Sequence, residues 1–177
     1  NEPYALAKIS AIKLCRYYNE KYGMNFISGM PTNLFGPGDN FNLETAHVLP
    51  ALIRKFNLAK LLKKGDFEGI RKDIETYFVG FRLDGKINFD DRAIEKTLKG
   101  LGVTKGHVVL WGIGEPYREF LYVDDLADAS VFLMEKYDFK DTGELVNIGM
   151  GEDRKIKEIA YIIREVVGFD GGIEHDL

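Results

Sequence analysis

Cysteine is almost missing from this sequence, which contains only Cys15 among its 177 residues. One thiol cannot form an internal disulfide, so the pattern is not that of a disulfide-stabilised secreted domain, and we expect a reducing, cytoplasmic location. Long apolar runs are also missing, since none approaches the roughly 20 residues that a membrane-spanning helix requires. The sequence therefore predicts no membrane partner.

An excess of positive charge is missing as well. The chain has 24 Lys and Arg residues against 28 Asp and Glu residues, for a net charge of −4. Nucleic acid is therefore not an expected partner. Hydrophobic residues make up 45% of the chain and charged residues 29%, as in folded globular proteins. An anionic small ligand stays compatible with this charge, because a few local cations are enough to bind phosphate.

The third missing feature is a strand–GxxGxxG–helix unit, the fingerprint of a dinucleotide-binding fold. The glycine pairs Gly112/Gly114 and Gly149/Gly151 lack the third glycine and the acidic residue that follows, and we interpret both as turns. Cysteine and histidine show no metal-ligand spacing, so no metal is predicted. The chain begins at Asn1 without a Met, and we expect it to be cut from a longer protein.

Alternating helical and strand patterns indicate an α/β fold. Helices are predicted at residues 4–22, 47–56, 124–137 and 155–167, and strands at residues 26–30, 107–111, 118–123, 145–148 and from 173 onward. Pro3 is expected in the first turn of the first helix, and Gly23 and Gly168 are expected to end the first and last helices. The strand at residues 26–30 is expected to be buried, and the turn at residues 112–116 predicts a hairpin between the strands on either side of it. The charge-rich segment 57–106 contains two further helical patterns, at residues 58–78 and 90–103, the second with Asp90 or Asp91 as its N-cap.

Tyr4 and Lys8 stand one helical turn apart, so their side chains share a face of the first predicted helix. A lysine ammonium beside a phenol stabilises the phenolate, and such a pair can exchange a proton with a carbonyl or alcohol oxygen. Alone, this Y-x-x-x-K spacing more often reflects a solvated lysine near a surface tyrosine. The sequence segments around Tyr4 and Lys8 favour a catalytic role for the pair.

A helix beginning Y-x-x-x-K, then a strand, then P-T-N-L-F-G-P resembles the extended short-chain dehydrogenase/reductase family. Within that family the chain is most similar to the GDP-L-fucose synthases. The segments that carry this resemblance are NEPYALAKI, GMPTNLFGPGDNF, HVLPALIRKF, VVLWGIGEPYREFLYVDDLADASVF and LVNIGMGED. Those enzymes epimerise GDP-4-keto-6-deoxy-D-mannose at two carbons beside its ketone and then reduce the ketone with NADPH.

The resemblance implies that the chain is the C-terminal, substrate-binding part of an extended short-chain dehydrogenase/reductase. Residues 1–40 would be the end of the dinucleotide-binding domain, and residues 41–177 the substrate-binding domain, with a helical insertion at about 57–106 outside the catalytic core. The expected partners are the missing N-terminal Rossmann half, a GDP-sugar substrate and a second copy in a homodimer. Without the Rossmann half, the chain is expected to be inactive and to bind NADP(H) weakly.

Individual roles also follow from the resemblance. Tyr4 would be the proton donor, Lys8 would assist it and bind the nicotinamide ribose, and His47 would transfer the protons of epimerisation. The implied NADP(H)-binding residues are Lys8, Pro31, Thr32, Asn33, Leu34 and His47, and the implied substrate-binding residues are Lys55, Trp111 and Arg118. Position 55 is often Arg in relatives, so Lys55 gives up the forked hydrogen-bonding geometry of a guanidinium.

Alternatives remain open for the function and for each residue. The chain could belong to a related nucleotide-sugar epimerase or dehydratase, or be a binding module without catalysis. Trp111 could be a core residue, and Arg54, a further substrate-site candidate, could lie with Lys55 on a solvated helix face. His47 could be merely solvated, and Arg118 could pair with Glu119 or Asp124.

Overall fold

The computed structural model describes residues 1–80 and 90–176, and within them the predicted α/β class is confirmed. The helices are α1 (Glu2–Tyr22), α2 (Val48–Lys64), α3 (Phe67–Tyr77), α4 (Asp91–Gly100), α5 (Val123–Lys136), α6 (Phe139–Thr142) and α7 (Ile156–Val167). The strands are β1 (Gly29–Pro31), β2 (Asn33–Phe35), β3 (His107–Trp111), β4 (Tyr117–Arg118), β5 (Phe120–Tyr122), β6 (Val146–Ile148), β7 (Arg154–Lys155) and β8 (Gly172–Asp176). No helix in these ranges combines the length and the apolar character needed to cross a bilayer.

The chain forms two compact units, each assembled from two separate segments. Unit 1 contains Asn1–Gly36 and Glu119–Asp153, and unit 2 contains Pro37–Arg118 and Arg154–Leu177. The domain boundaries expected from the sequence stay predictions.

Unit 1 contains α1 and two parallel strand pairs. Pro3 lies in the first turn of α1, and Gly23 ends the helix in the left-handed conformation, as the sequence predicts. Strand β1 pairs with β6 and β2 pairs with β5. Parallel pairs need long connections, so both partners come from the second segment of the unit.

The strand predicted at residues 26–30 is wrong in its bounds and its burial. The structure has a strand at Gly29–Pro31 with Met30 exposed. The side chain of Asn19 in α1 explains the late start. Its Nδ2 donates to the Phe26 carbonyl oxygen at 2.9 Å, and its Oδ1 accepts from the Phe26 amide at 2.8 Å. The backbone of Phe26 is therefore bonded to a helix side chain rather than to a neighbouring strand.

Unit 2 is built around α2, which packs against α3, α7 and β3. This helix is longer than the predicted 47–56, because helical residues continue to Lys64 and end only at Gly65, where φ is 69°. The predicted pattern at 58–78 is therefore split between α2 and α3. Asp66 begins α3, accepting a hydrogen bond from the Gly69 amide at 2.8 Å. Fully buried side chains of this unit include Phe56, Leu58, Leu62, Ile70, Ile94, Leu98, Val103 and Val108.

The segment 57–106 is helical where the structure describes it, and residues 81–89 of that prediction lie outside the described residues. Asp90 is the N-cap of α4, accepting from the Ala93 amide at 2.8 Å, which confirms one of the two predicted caps. The assignment of the whole segment as an insertion outside the catalytic core stays a prediction.

The predicted hairpin between β3 and the following strand is wrong. Strand β3 pairs in parallel with β8, and β4 pairs antiparallel with β7. The turn between β3 and β4 docks on the start of α7 instead, where the carbonyl oxygens of Gly114 and Pro116 accept from the amides of Lys157 and Ile156. Gly114 has φ +68°, and a Cβ there would lie 2.9 Å from the Cβ of Lys157, so this turn requires glycine.

Candidate active site

Tyr4 and Lys8 lie on the first turns of α1, where both side chains are exposed. The Lys8 Nζ lies 5.4 Å from the centroid of the Tyr4 ring, close enough for the ammonium to interact with the π-system. The i, i+4 spacing thus brings the phenol and the ammonium together as predicted. Their proposed catalytic roles stay predictions.

The candidate cofactor-binding segment of Pro31, Thr32, Asn33 and Leu34 runs from the end of β1 into β2. The Thr32 amide donates to the Ile148 carbonyl oxygen at 3.0 Å. The Asn33 side chain donates to the Glu119 carbonyl oxygen at 2.9 Å. The hydroxyl oxygen of Thr32 is buried and has no hydrogen-bond partner among the described residues. A buried hydroxyl without a partner is costly, so it is a natural contact for a bound polar group.

The carboxylate of Glu119 in unit 1 accepts a hydrogen bond from the Gly151 amide at 2.8 Å. A Cβ on Gly149 would collide with the same carboxylate and would lie 2.8 Å from the Thr32 Cγ2. Gly149 therefore lets the loop approach Glu119 and Thr32 closely, whereas Gly151 has φ +79°, a backbone conformation that favours glycine. This explains those glycines without a dinucleotide fingerprint.

His47 is the N-cap residue of α2, with an extended backbone conformation and an exposed ring. Its carbonyl oxygen accepts from the Ala51 amide at 3.1 Å, but its side chain forms no capping hydrogen bond. The backbone of His47 therefore caps the helix, whereas its ring takes no part in the cap. Its proposed catalytic role stays a prediction.

Lys55 and Trp111, two of the three predicted substrate-binding residues, come together in unit 2. The Lys55 side chain is buried, with 7% relative exposure. Its Nζ donates to the Val109 carbonyl oxygen at 3.4 Å and lies 5.2 Å from the Trp111 ring. Burial lowers the pKa of the Lys55 ammonium. The solvated-face alternative for Lys55 is thus wrong.

The Trp111 side chain is 76% exposed, so the alternative that it is a core residue is wrong. Together with Lys55 it lines a cavity of about 200 Å³. The remaining lining residues are Leu43, Glu44, Ala46, Val48, Ala51, Leu52, Val109, Leu110 and Ile156. Ligand pockets commonly measure about 300–1,000 Å³, so this cavity suits one part of a larger ligand.

Arg118 and His47 do not line this cavity. Arg118 is exposed at the end of β4, and its Nη1 donates to the carbonyl oxygen of Tyr117 at 2.7 Å. No carboxylate of unit 2 contacts Arg118 among the described residues. Its guanidinium still has donors to offer to an anion.

Arg54 is not available to a ligand, so its prediction as a substrate-site candidate is wrong. The side chain is 2% exposed and pairs with Asp73 of α3 at 2.8 Å. It also donates to the carbonyl oxygens of Phe41, at 2.9 Å, and Phe78. Burial raises the pKa of Asp73, and the Arg54 guanidinium opposes that shift. Residue 54 thus holds α3 to α2, whereas its neighbour Lys55 reaches the cavity.

Known proteins resemble this chain over nearly its whole length. The sequence pattern of the NAD dependent epimerase/dehydratase family matches residues 1–72 and 78–149. The chain belongs to this family. A similar protein is GDP-L-fucose synthase 1 of Arabidopsis thaliana, which is 42% identical over 176 residues. That match covers 99% of this chain but 41% of the relative, so the chain spans about two fifths of the relative's length.

Two solved structures extend the similarity to the fold. The GDP-mannoheptose C4 reductase of Campylobacter jejuni, with NADP bound, has a TM-score of 0.80 at 38% identity, covering 97% of this chain and 48% of its own. The GDP-L-fucose synthetase of Naegleria fowleri, bound to NADP, has a TM-score of 0.62 at 28% identity, covering 98% of this chain and 42% of its own.

The sequence did not predict the contribution of Glu44 to the cavity or the contact of Glu119 with the glycine loop. Glu119 follows Arg118 within the W-G-x-G-x-P-x-R-E-F motif, so the motif was a usable signal for it. Glu44 had no such signal, because its place in the cavity depends on packing between the loop before α2 and β3.

Proposed function

We propose that this chain is the substrate-binding part of an NADP-dependent enzyme that epimerises GDP-4-keto-6-deoxy-D-mannose and reduces its ketone to give GDP-L-fucose. The observation that carries the proposal is the cavity of unit 2, which joins Lys55 to Trp111 although they are far apart in sequence. A lysine ammonium offers charge to an anionic nucleotide sugar, and an exposed indole offers a flat apolar surface. The names of the relatives supply the substrate class.

NADP(H) fits the residues of unit 1 in chemical type. Lys8 can bind a ribose hydroxyl, and the unpartnered Thr32 hydroxyl can exchange a hydrogen bond with a polar group of the cofactor. Pro31, Asn33, Leu34 and His47 are also proposed to contact the cofactor. When bound, NADPH supplies the hydride for ketone reduction.

Different side chains carry out the proton transfers of ketone reduction and of epimerisation. Tyr4 donates a proton to the ketone oxygen during reduction, and the neighbouring Lys8 ammonium stabilises the phenolate that is left. His47 removes and returns protons on the carbons beside the ketone, a task for which imidazole is suited near neutral pH. Arg118 binds the diphosphate. A homodimer and a cytoplasmic location are further proposals, the latter supported by the single cysteine.

Titration of the 177-residue chain with GDP in a calorimeter tests the substrate site. We expect binding that weakens about tenfold in Arg118→Ala, because a charge-assisted hydrogen bond contributes on the order of 1.5–3 kcal/mol. Lys55→Met should weaken binding too, while Lys64→Met, an exposed lysine of the same helix, should not. If the parental chain does not bind GDP at millimolar concentration, the assigned substrate class is wrong.

Catalytic roles are tested in a chain that also carries a dinucleotide-binding half, with the keto sugar as substrate and NADPH oxidation as readout. Tyr4→Phe should slow reduction, whereas Tyr17→Phe, another exposed tyrosine of α1, should not. His47→Gln should suppress solvent deuterium incorporation beside the ketone, with His107→Gln as its control. Normal deuterium incorporation in His47→Gln would remove that residue from the epimerisation step.

A second candidate is a reductase or epimerase acting on a GDP-heptose. It is favoured by the higher TM-score with the heptose reductase, 0.80, than with the fucose synthetase, 0.62. The two candidates differ in the sugar and share the nucleotide. The ratio of kcat/KM for the 6-deoxy keto sugar and for the keto heptose decides between them.

A further inference from the structure

Glu119 forms hydrogen bonds through its main chain and its side chain, and these bonds reach two different segments of unit 1. Its carbonyl oxygen accepts from the Asn33 amide at 3.2 Å and from the Asn33 Nδ2 at 2.9 Å. Its carboxylate accepts from the Gly151 amide at 2.8 Å. One residue therefore connects the start of β2 to the loop that follows β6.

Both segments lie at the carboxyl ends of parallel strands. Pro31, the last residue of β1, is opposite Ile148, the last residue of β6. Thr32 and Gly149 follow these two residues directly, and the Thr32 amide donates to the Ile148 carbonyl oxygen at 3.0 Å. Open α/β sheets bind ligands outside the carboxyl ends of their strands. The bonds of Glu119 thus join two segments at the edge where a ligand is expected.

The side chains of Glu119 and Thr32 lie against the same glycine. A Cβ on Gly149 would collide with the Glu119 carboxylate and would lie 2.8 Å from the Thr32 Cγ2. The methyl and hydroxyl groups of threonine share one carbon, and its χ1 angle has few favourable values. Packing of the methyl group against Gly149 therefore also sets the direction of the Thr32 hydroxyl, which is buried without a partner among the described residues.

A carboxylate at this edge is better suited to hold the protein than to bind the cofactor itself. Like charges repel, so Glu119 is an unfavourable contact for the phosphates of NADP(H). The carboxylate instead accepts from the Gly151 amide, which fixes the 149–151 loop beside Thr32. Hydrogen bonds to a charged acceptor are stronger than those between neutral groups.

We propose that Glu119 is a positioning residue for the cofactor. Its carboxylate holds the 149–151 loop against Thr32, and the loop in turn directs the Thr32 hydroxyl toward a polar group of NADP(H). The identity of the ligand as NADP(H) rests on the proposed function.

The test is calorimetric titration with NADP⁺, without sugar, of a chain that also carries a dinucleotide-binding half. Glu119→Ala should weaken NADP⁺ binding about tenfold, which corresponds to roughly 1.4 kcal/mol. Glu119→Gln keeps a side-chain oxygen that can accept from the Gly151 amide, so it should recover part of the loss. If Glu119→Ala does not fold, Glu119→Asp, whose carboxylate is one carbon shorter, takes its place.

A double-mutant cycle separates positioning from a merely structural role. Thr32→Val keeps the shape of the side chain and removes its hydroxyl, and it should also weaken NADP⁺ binding. The double variant Glu119→Ala/Thr32→Val should bind less than threefold more weakly than Thr32→Val alone, because both substitutions remove the same contact. Losses that multiply in the double variant would show that Glu119 does not act through Thr32, and would overturn the inference.

Glu144→Ala is the matched control, since Glu144 is another carboxylate of unit 1 that accepts from basic side chains, those of Lys13 and Arg16. Its Kd for NADP⁺ should change less than threefold, even if its melting temperature falls. Binding of GDP should likewise be unchanged in Glu119→Ala. Melting curves show whether each variant is folded.

The remaining outcomes distinguish this inference from the proposed function. If the parental chain binds NADP⁺ and Glu119→Ala binds it equally well, the inference is wrong and the proposed cofactor stands. If Glu119→Ala loses affinity for GDP and not for NADP⁺, Glu119 supports the substrate site instead, and the inference is again wrong. Absence of NADP⁺ binding to the parental chain overturns both the inference and the proposed cofactor, while GDP titration still tests the substrate.

Discussion

The two longest helices of this protein carry candidate site residues in opposite environments. Helix α1 in unit 1 buries only Asn19 of its 21 residues, whereas α2 in unit 2 buries eight of its 17. Apolar side chains are present on both, but those of α1, such as Leu6, Ile9 and Leu14, are exposed. Helix α2 instead packs against three neighbours of its own unit.

Two lysines illustrate what this difference means for chemistry. Lys8 on α1 is exposed beside Tyr4, where its ammonium stays hydrated. Lys55 on α2 is buried beside Trp111, and burial lowers its pKa. The same residue type is thus exposed beside a phenol in one unit and buried at the wall of a cavity in the other. Four pairs of substitutions test this contrast.

The largest expected effect is at Arg54 in α2. Arg54→Ala should lower the free energy of unfolding of unit 2 by about 3–5 kcal/mol, because it leaves Asp73 buried without its partner. Arg16→Ala on α1 should have a much smaller effect, since Arg16 and its partner Glu144 are each about 30% exposed. Urea denaturation followed by hydrogen exchange, resolved to α1 and α2, measures both. An equal loss of unfolding free energy in the two variants would show that the charged pairs of α1 and α2 do not differ as their burial indicates.

A leucine pair compares apolar packing in the two helices. Leu62 is 0% exposed and Leu14 is 56% exposed. Leu62→Ala should cost about 2–5 kcal/mol, the usual range for a cavity-forming substitution in a core. Leu14→Ala should stay within about 0.5 kcal/mol of the parental chain. A substantial loss in Leu14→Ala would reveal packing of α1 that its exposure does not indicate.

Lys55→Met should remove a charge that is costly to bury. We expect the unfolding free energy of unit 2 at pH 7 to rise by about 1 kcal/mol, while GDP binding weakens. Burial lowers the folded-state pKa of Lys55 below its ordinary value of 10.5. The cost of burying the charged ammonium is therefore complete at pH values below the folded-state pKa. This cost disappears as the pH rises toward 10.5, because the folded protein then holds the neutral amine. Melting curves from pH 7 to 10.5 should show the gain shrinking, and Lys8→Met should show no gain at any pH.

The smallest effects concern a carboxylate held between two cations in each unit. Hydrogen bonds from Lys155 and Lys157 lower the pKa of Glu115 to about 2, and those from Lys13 and Arg16 lower the pKa of Glu144. The stabilisation that these hydrogen bonds give the folded protein is therefore complete above 4.5, the ordinary pKa of a glutamate. It is lost as the pH falls through the lower folded-state pKa.

Melting curves of Glu115→Gln and Glu144→Gln between pH 7 and 2 measure this stabilisation. Each variant should melt slightly below the parental chain at pH 7, and the difference should close in acid, at about pH 2 for Glu115. A difference that stays constant with pH would show that charge is not its cause.

Local signals predicted local structure well. Gly23 and Gly168 end their helices in the left-handed conformation, and Asp90 caps α4. The strand at residues 107–111 is confirmed. The hairpin prediction failed because the turn at residues 112–116 bonds to the first amides of α7, forty or more positions further along the chain, and no local pattern encodes that contact.

The sequence by itself determined the α/β class, most helix ends and the family, because helix caps, periodicity and short motifs depend on residues close together in the chain. Only the tertiary structure decided which apolar faces are covered, that Lys55 is buried while Arg54 pairs with Asp73, and that β4 pairs with β7 rather than with β3. Those outcomes depend on which distant segments come into contact. Desolvation and strand register, which set the chemistry of the candidate site, exist only once those contacts have formed.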